Sequence, residues 1–421
     1  MAKKTNKWFV LLIICFGGGI IYILPYIQYT YYDSLMVALN LNNQQMGNMM
    51  SVLGTVSSIT YLLGGIFADR FNIKWLMAIS FIGTGLAGLW FASFPSYTQL
   101  LIIMVIYAIT TILTYWPAMI KAVKLLGSEE EQGRMFGFRE AGFGIFAWIF
   151  TQLGTWLVFN QTKGIQGVKN ILIFYCVIYF ISGVLSFIFI PSSSKGSKEE
   201  EKKEKVKKNT TWEGILYVIK MPSVWLIGLT IFCAYTISGP GLGKLTPYFT
   251  QILQVDETVV ASLMSIRMYL LAFAAATVGG IIADKLGSTS KFIIWSYIGL
   301  AITLLFLVLL PGKPAYSVIV IIAGFLSSAV IYMMRGTYMA PMGEARIPDA
   351  YIGTAAGLIS FIGFLPDAFM FSVFGSIMGD TPGEKEFKLI FWVCIGLCVI
   401  GFVLACLMKR QIDKRREMVS K

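Results

Sequence analysis

The chain has 421 residues, of which 57% are hydrophobic and only 13% are charged. That charged share is about half of the share in an ordinary soluble protein, so the composition excludes a soluble globular fold and indicates a membrane protein. The formal net charge of +12 does not indicate a nucleic-acid partner, because the basic residues collect at one set of alternating ends of the apolar segments.

Apolar runs of roughly 20 residues recur along the chain, and this is the length of helix that crosses the hydrocarbon of a bilayer. The runs show no alternation of polar and apolar residues, so they do not fit the strands of an outer-membrane barrel. We therefore predict an all-α membrane protein with twelve transmembrane helices. Their predicted centres are Ile14, Val56, Thr84, Ile106, Ala147, Ile178, Thr230, Phe273, Leu304, Ala323, Phe361 and Cys398.

The distribution of lysine and arginine orients the predicted helices. Both residue types are concentrated near the two termini and in every second connection, so the positive-inside rule places both termini in the cytoplasm. The first apolar run has full spanning length and lacks an Ala-x-Ala-like exit, so we interpret it as a span rather than a cleaved signal. We expect a multi-pass monomer in the lipid bilayer of the inner, cytoplasmic membrane of the cell.

The cysteine and histidine content predicts neither a cofactor nor a metal site. All six cysteines lie inside apolar runs, where disulfides are not expected. Cys394 and Cys398 share a helix face, but the chain has no histidine, so we interpret this pair as packing rather than as zinc ligands.

The first predicted helix is interrupted by Pro25 within GGGIIYILPYIQY. Tyr22, Tyr26 and Tyr29 share one face at helical spacing, and Gln28 lies one step from it. Tyrosines at this spacing are commonly packing residues, which is the alternative interpretation. Their position beside the proline favours contact with a ligand, because interrupted backbone is tolerated in a membrane where it lines a cavity or is covered by protein.

The fifth predicted helix carries two adjacent charges, Arg139 and Glu140, in GFREAGFG. Neighbouring positions on a helix point about 100° apart, so we expect that the two side chains do not neutralise each other and that each has a partner elsewhere. Glu140 is one candidate for a group that binds a coupling proton.

A long hydrophilic segment separates six predicted helices from the other six. It reads PSSSKGSKEEEKKEKVKKNTT and is too polar to be buried, so we interpret it as a cytoplasmic tether. The predicted domains are an N-terminal six-helix half over residues 1–190, a charged linker over 191–220 and a C-terminal six-helix half over 221–421.

The seventh predicted helix is also interrupted by proline, in ISGPGLGKLTPYF, and Lys244 follows the break at Pro240. A phosphate-binding loop would need glycine in place of Ser238 and a hydroxyl in place of Leu245, and no strand precedes the segment. An ATP-driven pump is therefore not favoured, and Lys244 is instead a candidate for substrate contact.

Arg267 is isolated in the eighth predicted helix, within ASLMSIRMYLLAFAAATVGG. An ionisable side chain at the bilayer centre costs at least ~2.5 kcal/mol, so such a residue is a functional candidate. Arg267 precedes Asp284 by 17 positions (284 − 267), or roughly 25 Å of helix, which places it on the central or outer side of the midplane. The alternative is that its side chain extends to the outer headgroups.

Arg335 lies in the tenth predicted helix, nine positions before Glu344 (344 − 335), and hence roughly 13 Å inside the presumed cytoplasmic end. Ser328, Tyr332 and Arg335 form one polar stripe at helical spacing. We predict that Arg335 contacts the substrate or its counter-ion, and the alternative is a structural ion pair. In the eleventh helix, Asp367 is predicted to pair with an arginine or to carry a proton.

Two short sequences repeat at a constant offset. GGIFADRF at residues 64–71 is matched by GGIIADKLG at 279–287, and both the glycine pair (280 − 65) and the aspartate pair (284 − 69) are 215 positions apart. The same offset relates the two helix-interrupting prolines (240 − 25). The chain is thus an internal repeat of two six-helix halves.

A Gly-x-x-x-Asp-basic sequence after the second span of each half resembles the major facilitator superfamily over essentially the whole chain. The resemblance implies two pseudo-symmetric halves and a loop that closes the cytoplasmic side, with the acid capping a helix or pairing across the halves. The residues implied to form this conformational latch are Gly65, Asp69, Arg70, Gly280, Asp284 and Lys285.

Within that superfamily, the sequence is most similar to bacterial carriers around the organophosphate:phosphate antiporters. The segments EEEQGRMFGFREAGFG, MRGTYMAPMGEARIP and GTAAGLISFIGFLPDAF resemble parts of those relatives. The chain departs from them by lacking histidine and an arginine in its first span, which argues against their phosphate exchange. Arg267 instead resembles the eighth-span arginine of oxalate-type dicarboxylate exchangers.

Fixed positive charge in the predicted spans exceeds negative charge, which favours an anionic substrate because unpaired buried cations are costly. We predict a secondary active transporter of a small organic anion, either a carboxylate or a phosphorylated metabolite, whose halves rock about a central site. The predicted substrate-binding residues are Arg335, Arg267, Lys244, Tyr22, Tyr26, Tyr29, Gln28 and Tyr332.

The coupling mode remains open at this point. Glu140 or Asp367 can bind a proton for symport, or the protein can act as an antiporter that exchanges one anion for another. The alternative function is proton-coupled symport of a neutral or zwitterionic solute, such as a sugar or an amino acid. An enzyme is not expected, because the sequence contains no catalytic constellation.

Overall fold

A computed structural model describes residues 6–127, 131–191, 216–347 and 351–420 of the chain, without the side chains of residues 62–69, 133 and 415–420. Within these ranges the regular elements are helices, and no strand is present. The all-helical fold class predicted from the apolar runs is therefore confirmed.

The helices differ in length, and several contain a π-helical turn. Before the linker they are α1 (Lys7–Ile21), α2 (Tyr32–Leu39), α3 (Asn43–Arg70), α4 (Ile73–Phe91), α5 (Tyr97–Lys124), α6 (Arg134–Thr162) and α7 (Gly164–Phe189). After it they are α8 (Pro222–Ile252), α9 (Glu257–Lys285), α10 (Thr289–Leu309), α11 (Pro314–Arg335), α12 (Pro341–Glu344), α13 (Ile352–Met378) and α14 (Glu384–Ser420).

Ten of these helices are long and apolar enough to cross a membrane, among the residues that the structure describes. The shorter apolar helix α1 and the 28-residue helix α3 add two further segments. Each of the twelve predicted centres lies within one of the helices, so the predicted count of twelve is consistent with the structure.

The prolines interrupt the helices that contain them. Helix α1 ends at Ile21, four residues before Pro25, because proline has no N–H for the Ile21 carbonyl and its ring clashes with that turn. A short 3₁₀ turn, Ile27–Tyr29, follows the break. In α8, Pro240 lies inside a π-helical segment, Ile237–Gly241. Such π turns frequently mark functional sites.

The described residues form two compact units. Unit 1 comprises those of Met1–Gly196 and Asp256–Leu270, and unit 2 comprises those of Ser197–Val255 and Leu271–Lys421. In unit 1, α4 packs against α7 and α1 packs against α6, while in unit 2, α10 packs against α14 and α8 against α13. The first part of α9 therefore groups with unit 1. Most of the predicted linker, residues 192–215, lies outside the described residues.

Helices α9 and α11 approach each other closely at Gly279 rather than at its neighbour Gly280. A Cβ atom at Gly279 would lie 2.4 Å from the Met333 carbonyl oxygen, whereas a Cβ at Gly280 would meet nothing within 4 Å. In the second copy of the repeat, which begins Gly279-Gly280, it is therefore Gly279 that lets α9 and α11 pack closely.

Substituting Gly279 by alanine is expected to lower the melting temperature of the purified protein. The added methyl group would overlap backbone that cannot move aside easily, and overpacking of this kind costs about 1–3 kcal/mol. Gly280→Ala is the matched control, and it should leave stability unchanged or raise it, since alanine is the better helix former. Equal melting temperatures for the two variants would contradict the close approach.

Candidate functional site

A cluster of polar and aromatic side chains in unit 2 surrounds Arg335, the last residue of α11. Its guanidinium carbon lies 5.7 Å from the ring centre of Tyr332 and 5.9 Å from that of Tyr235. The Tyr338 hydroxyl also lies beside the guanidinium. Although many protein atoms surround Arg335, the residue keeps an exposed surface. It is thus an arginine held by tyrosines and still accessible to a ligand.

Asp367 belongs to the same cluster. It lies in the 3₁₀ turn Leu365–Ala368 and accepts a hydrogen bond from the Tyr235 hydroxyl, and it is close enough to Arg335 for electrostatic attraction. The sequence predicts that Asp367 pairs with an arginine, and Tyr235 contacts both Asp367 and Arg335. The Phe364 ring closes the cluster, with its centre 4.7 Å from the ring centre of Tyr235.

Lys244 lies elsewhere in unit 2, in the 3₁₀ turn Leu242–Lys244 that follows the Pro240 break. Lys244 is only 4% exposed, so both its aliphatic chain and its ammonium group are buried. The break predicted from sequence therefore does bury a lysine within the membrane-spanning region. Its contact with substrate remains a prediction.

The tyrosines of the first predicted span remain neighbours in unit 1 despite the interrupted helix. The ring centres of Tyr22 and Tyr26 are 6.3 Å apart, and those of Tyr26 and Tyr29 are 6.0 Å apart with nearly parallel planes. Gln28 is 9% exposed. The tyrosines thus form a continuous aromatic row, although part of the segment is turn and 3₁₀ helix rather than α-helix.

The expectation that Arg139 and Glu140 have separate partners is wrong. Arg139 Nη1 donates directly to Glu140 Oε1, and the two side chains form an ion pair. The Cβ atoms of adjacent helix positions point in different directions, but the arginine side chain is long enough to reach the neighbouring carboxylate. Glu140 itself is about half exposed.

Arg267 lies in the π-helical segment Ile266–Leu271 of α9 and is only 2% exposed. Its side chain is therefore buried, which argues against an extension to the outer headgroups. Nearby Tyr269 packs edge-on against Phe143 of α6, with ring centres 6.3 Å apart. Arg267 and Arg335 thus belong to different units.

The predicted latch residues lie at helix ends. Arg70 ends α3 and is exposed, and Asp284 and Lys285 are exposed at the end of α9. The side chain of Asp69 and the surroundings of Gly65 lie outside the described part of the structure. The latch role of these residues remains a prediction.

Polar contacts attach the beginning of α9 to other parts of unit 1. The Lys163 ammonium lies 2.7 Å from Asp256 Oδ2, and Glu257 accepts hydrogen bonds from both the backbone N–H and the hydroxyl of Ser34. The hydrogen bond from Lys163 holds the pKa of Asp256 below its usual range. Asp256 also caps α9 by accepting from the Thr258 N–H.

Asp256→Asn is expected to destabilise the protein slightly at neutral pH, by about 0.5 kcal/mol, because the ion pair is half exposed. Asparagine can still cap the helix, so the change isolates the charge. A carboxyl with a lowered pKa stabilises the fold above its unfolded pKa, about 3.9, and this stabilisation is lost as pH falls through the folded value. The difference in melting temperature from wild type should therefore be present at pH 7 and shrink as pH falls below about 3.9, and a difference that stays constant as the pH is lowered would contradict it.

Several residues at these clusters were not identified from the sequence. Tyr235 and Tyr338 contact Arg335, and Tyr115, Trp116 and Phe143 lie around Arg139. Tyr338 follows Arg335 by three positions, a spacing that does signal contact. Phe143 follows Arg139 by four positions on the same helix, which is also a contact spacing. Tyr235, Tyr115 and Trp116 lie on different helices from the arginine that they contact, so no local spacing could identify them.

Comparison with known proteins gives matches over nearly the whole chain. The model of the Major Facilitator Superfamily matches residues 8–370. The inner membrane protein YihN of Escherichia coli (strain K12) is 32% identical over 423 residues, which cover 99% of this chain and 98% of that protein. The inner membrane protein YqcE of the same organism is 31% identical over 416 residues, covering 96% and 94%.

A solved structure also resembles this one. It is a bacterial homolog of the human lysosomal transporter Spinster in an inward-facing and occupied conformation, with a TM-score of 0.77. The match covers 98% of this chain and 99% of that chain at 13% sequence identity. At that identity the likeness concerns the fold alone.

Proposed function

This chain belongs to the Major Facilitator Superfamily, and from that membership we propose that it is a proton-linked carrier of a small organic anion in the inner membrane. It is a secondary transporter that works by alternating access, and not an enzyme. The inner-membrane location is carried over from the two Escherichia coli relatives, whose names state it.

The observation that supports an anionic substrate is the accessible Arg335 in its tyrosine surroundings. A guanidinium cannot lose its charge in a protein and offers a planar fork of donors, which matches carboxylate and phosphate oxygens. Its neighbours Tyr332 and Tyr235 orient the cation through ring contacts, and the Tyr338 hydroxyl lies beside it, without neutralising it. A charge that is positioned but not neutralised is suited to binding an anion.

The position of Asp367 supports coupling to protons. When ionised, this carboxylate attracts Arg335 and competes with an anionic substrate for the positive charge. When a proton neutralises it, the arginine attracts the substrate more strongly. Proton and anion therefore favour each other's binding, and this reciprocity is the thermodynamic requirement for symport.

The proposal is tested by the melting temperature of the detergent-purified protein against four solute classes: carboxylates, phosphorylated metabolites, amino acids and neutral sugars. A ligand that binds the folded state raises its stability by mass action, by about 2.7 kcal/mol at a hundredfold excess over the dissociation constant. We expect stabilisation by members of the first two classes, greater at pH 5.5 than at pH 8. Stabilisation only by sugars or amino acids would overturn the proposal in favour of a carrier of neutral or zwitterionic solutes.

A further inference from the structure

Arg139 has an incomplete set of hydrogen bonds inside unit 1. The residue is 2% exposed, and its Nη1 atom is engaged by Glu140. Its Nε and Nη2 atoms are fully enclosed and have no hydrogen-bond partner in the described part of the chain. A buried N–H donor of a charged group that makes no hydrogen bond costs folding free energy, so native proteins rarely keep one without a functional reason.

Aromatic side chains surround this guanidinium. Its central carbon lies 5.5 Å from the ring centre of Trp116 and 5.3 Å from that of Phe143. The Tyr115 hydroxyl lies beside it and likewise makes no hydrogen bond of ordinary geometry within the described residues. The Tyr22 ring completes the group, 6.3 Å from Tyr115 and 6.2 Å from Phe143 between ring centres. We call these five residues the Arg139 cage.

The two unpaired nitrogens identify the chemistry that the cage can accept. Nε and Nη2 share one edge of the guanidinium and present two parallel N–H donors, which a carboxylate can accept with both of its oxygens. A carboxylate is planar and can lie in the plane of the guanidinium. A phosphate has further charged oxygens outside that plane, and these would be desolvated against aromatic faces without hydrogen bonds.

We propose that Arg139 binds a carboxylate group of the substrate through Nε and Nη2, with the Tyr115 hydroxyl as an additional donor. This inference rests on the proposed function and narrows its substrate class to carboxylates. Because both nitrogens are enclosed, an aromatic ring of the cage moves when the ligand enters. Tyr115 and Trp116 lie where the π-helical segment Ile109–Tyr115 returns to α-helix, a place where a change of turn type would shift both rings.

The test is calorimetric titration of the full-length purified protein with two probes, sodium benzoate and inorganic phosphate. Arg139→Lys keeps the charge but removes the fork, and we expect it to weaken benzoate binding by about 10-fold or more. Tyr115→Phe removes only a hydroxyl that lacks a partner, so the fold should be retained while benzoate binding falls by about 5-fold. Arg134→Lys is the matched control, since Arg134 is an exposed arginine of the same helix that also lies over rings, those of Trp8 and Phe138.

The outcomes separate this inference from the function on which it rests. Wild-type benzoate affinity in both Arg139→Lys and Tyr115→Phe, together with loss of binding in Arg335→Lys, would overturn the Arg139 site and leave the anion carrier intact. Binding of neither probe by the wild-type protein would overturn both. Phosphate binding that is tighter than benzoate binding and is lost in Arg139→Lys would overturn the assignment to carboxylates.

Discussion

Arg335→Gln is expected to reduce anion transport by about 100-fold or more. Two hydrogen bonds from a charged donor contribute about 1.5–3 kcal/mol each, and a neutral amide supplies neither the charge nor the planar fork. Because the tyrosines around Arg335 are retained, the loss should arise from binding rather than from misfolding. The measurement is the initial rate of uptake into proteoliposomes of the anion that most stabilises the wild-type protein.

A matched control for this change exists in the same unit. Arg410 is an exposed arginine near the end of α14, and Arg410→Gln should transport at the wild-type rate. Arg335→Lys should be intermediate, since it keeps the charge without the fork. A wild-type rate in Arg335→Gln would mean that the arginine has a structural role and that the substrate is held elsewhere.

Asp367→Asn is expected to abolish accumulation driven by a proton gradient while anion exchange across the membrane continues. Asparagine mimics the protonated acid in shape and charge, so the site should bind the anion but no longer require a proton. The ratio of internal to external anion should fall to about 1, because a carrier without coupling only equilibrates its solute. This ratio is measured under an imposed gradient, and exchange is measured with anion on both sides.

Glu140→Gln serves as the comparison, because Glu140 is the other acid proposed to bind the coupling proton. Glu140 is engaged by Arg139 and half exposed, so the variant should still accumulate substrate. Loss of accumulation in Glu140→Gln but not in Asp367→Asn would transfer the proton site to α6. Accumulation retained in both variants would mean that neither acid binds the coupling proton.

The sequence predicts the features that depend on local pattern. Runs of apolar residues predict helices because the bilayer leaves few other ways to satisfy the backbone, and every predicted centre lies in a helix. Pro25 and Pro240 predict breaks because a missing N–H and a ring clash act within one turn. Arg335 and Tyr332 are brought together because residues three apart are neighbours on a helix.

Contacts between helices are less predictable, because moving by one position along a helix turns the side chain by about 100° to a different face. Gly280 and Gly279 are adjacent in the repeat, yet only Gly279 faces α11. Tyr235 precedes Arg335 by 100 positions (335 − 235), so no spacing rule relates them. The pairing of Arg139 with Glu140 depends on side-chain reach, which the direction of the Cβ atoms does not give.

The most direct test of proton-linked anion transport is the pH change outside proteoliposomes when a solute is added. With carboxylates, we expect the external medium to become more alkaline as proton and anion enter together, and we expect Arg335→Gln to abolish the signal. An alkaline shift that occurs with a neutral sugar, is absent with every anion and is unaffected by Arg335→Gln would instead show that the carrier moves protons with a neutral solute.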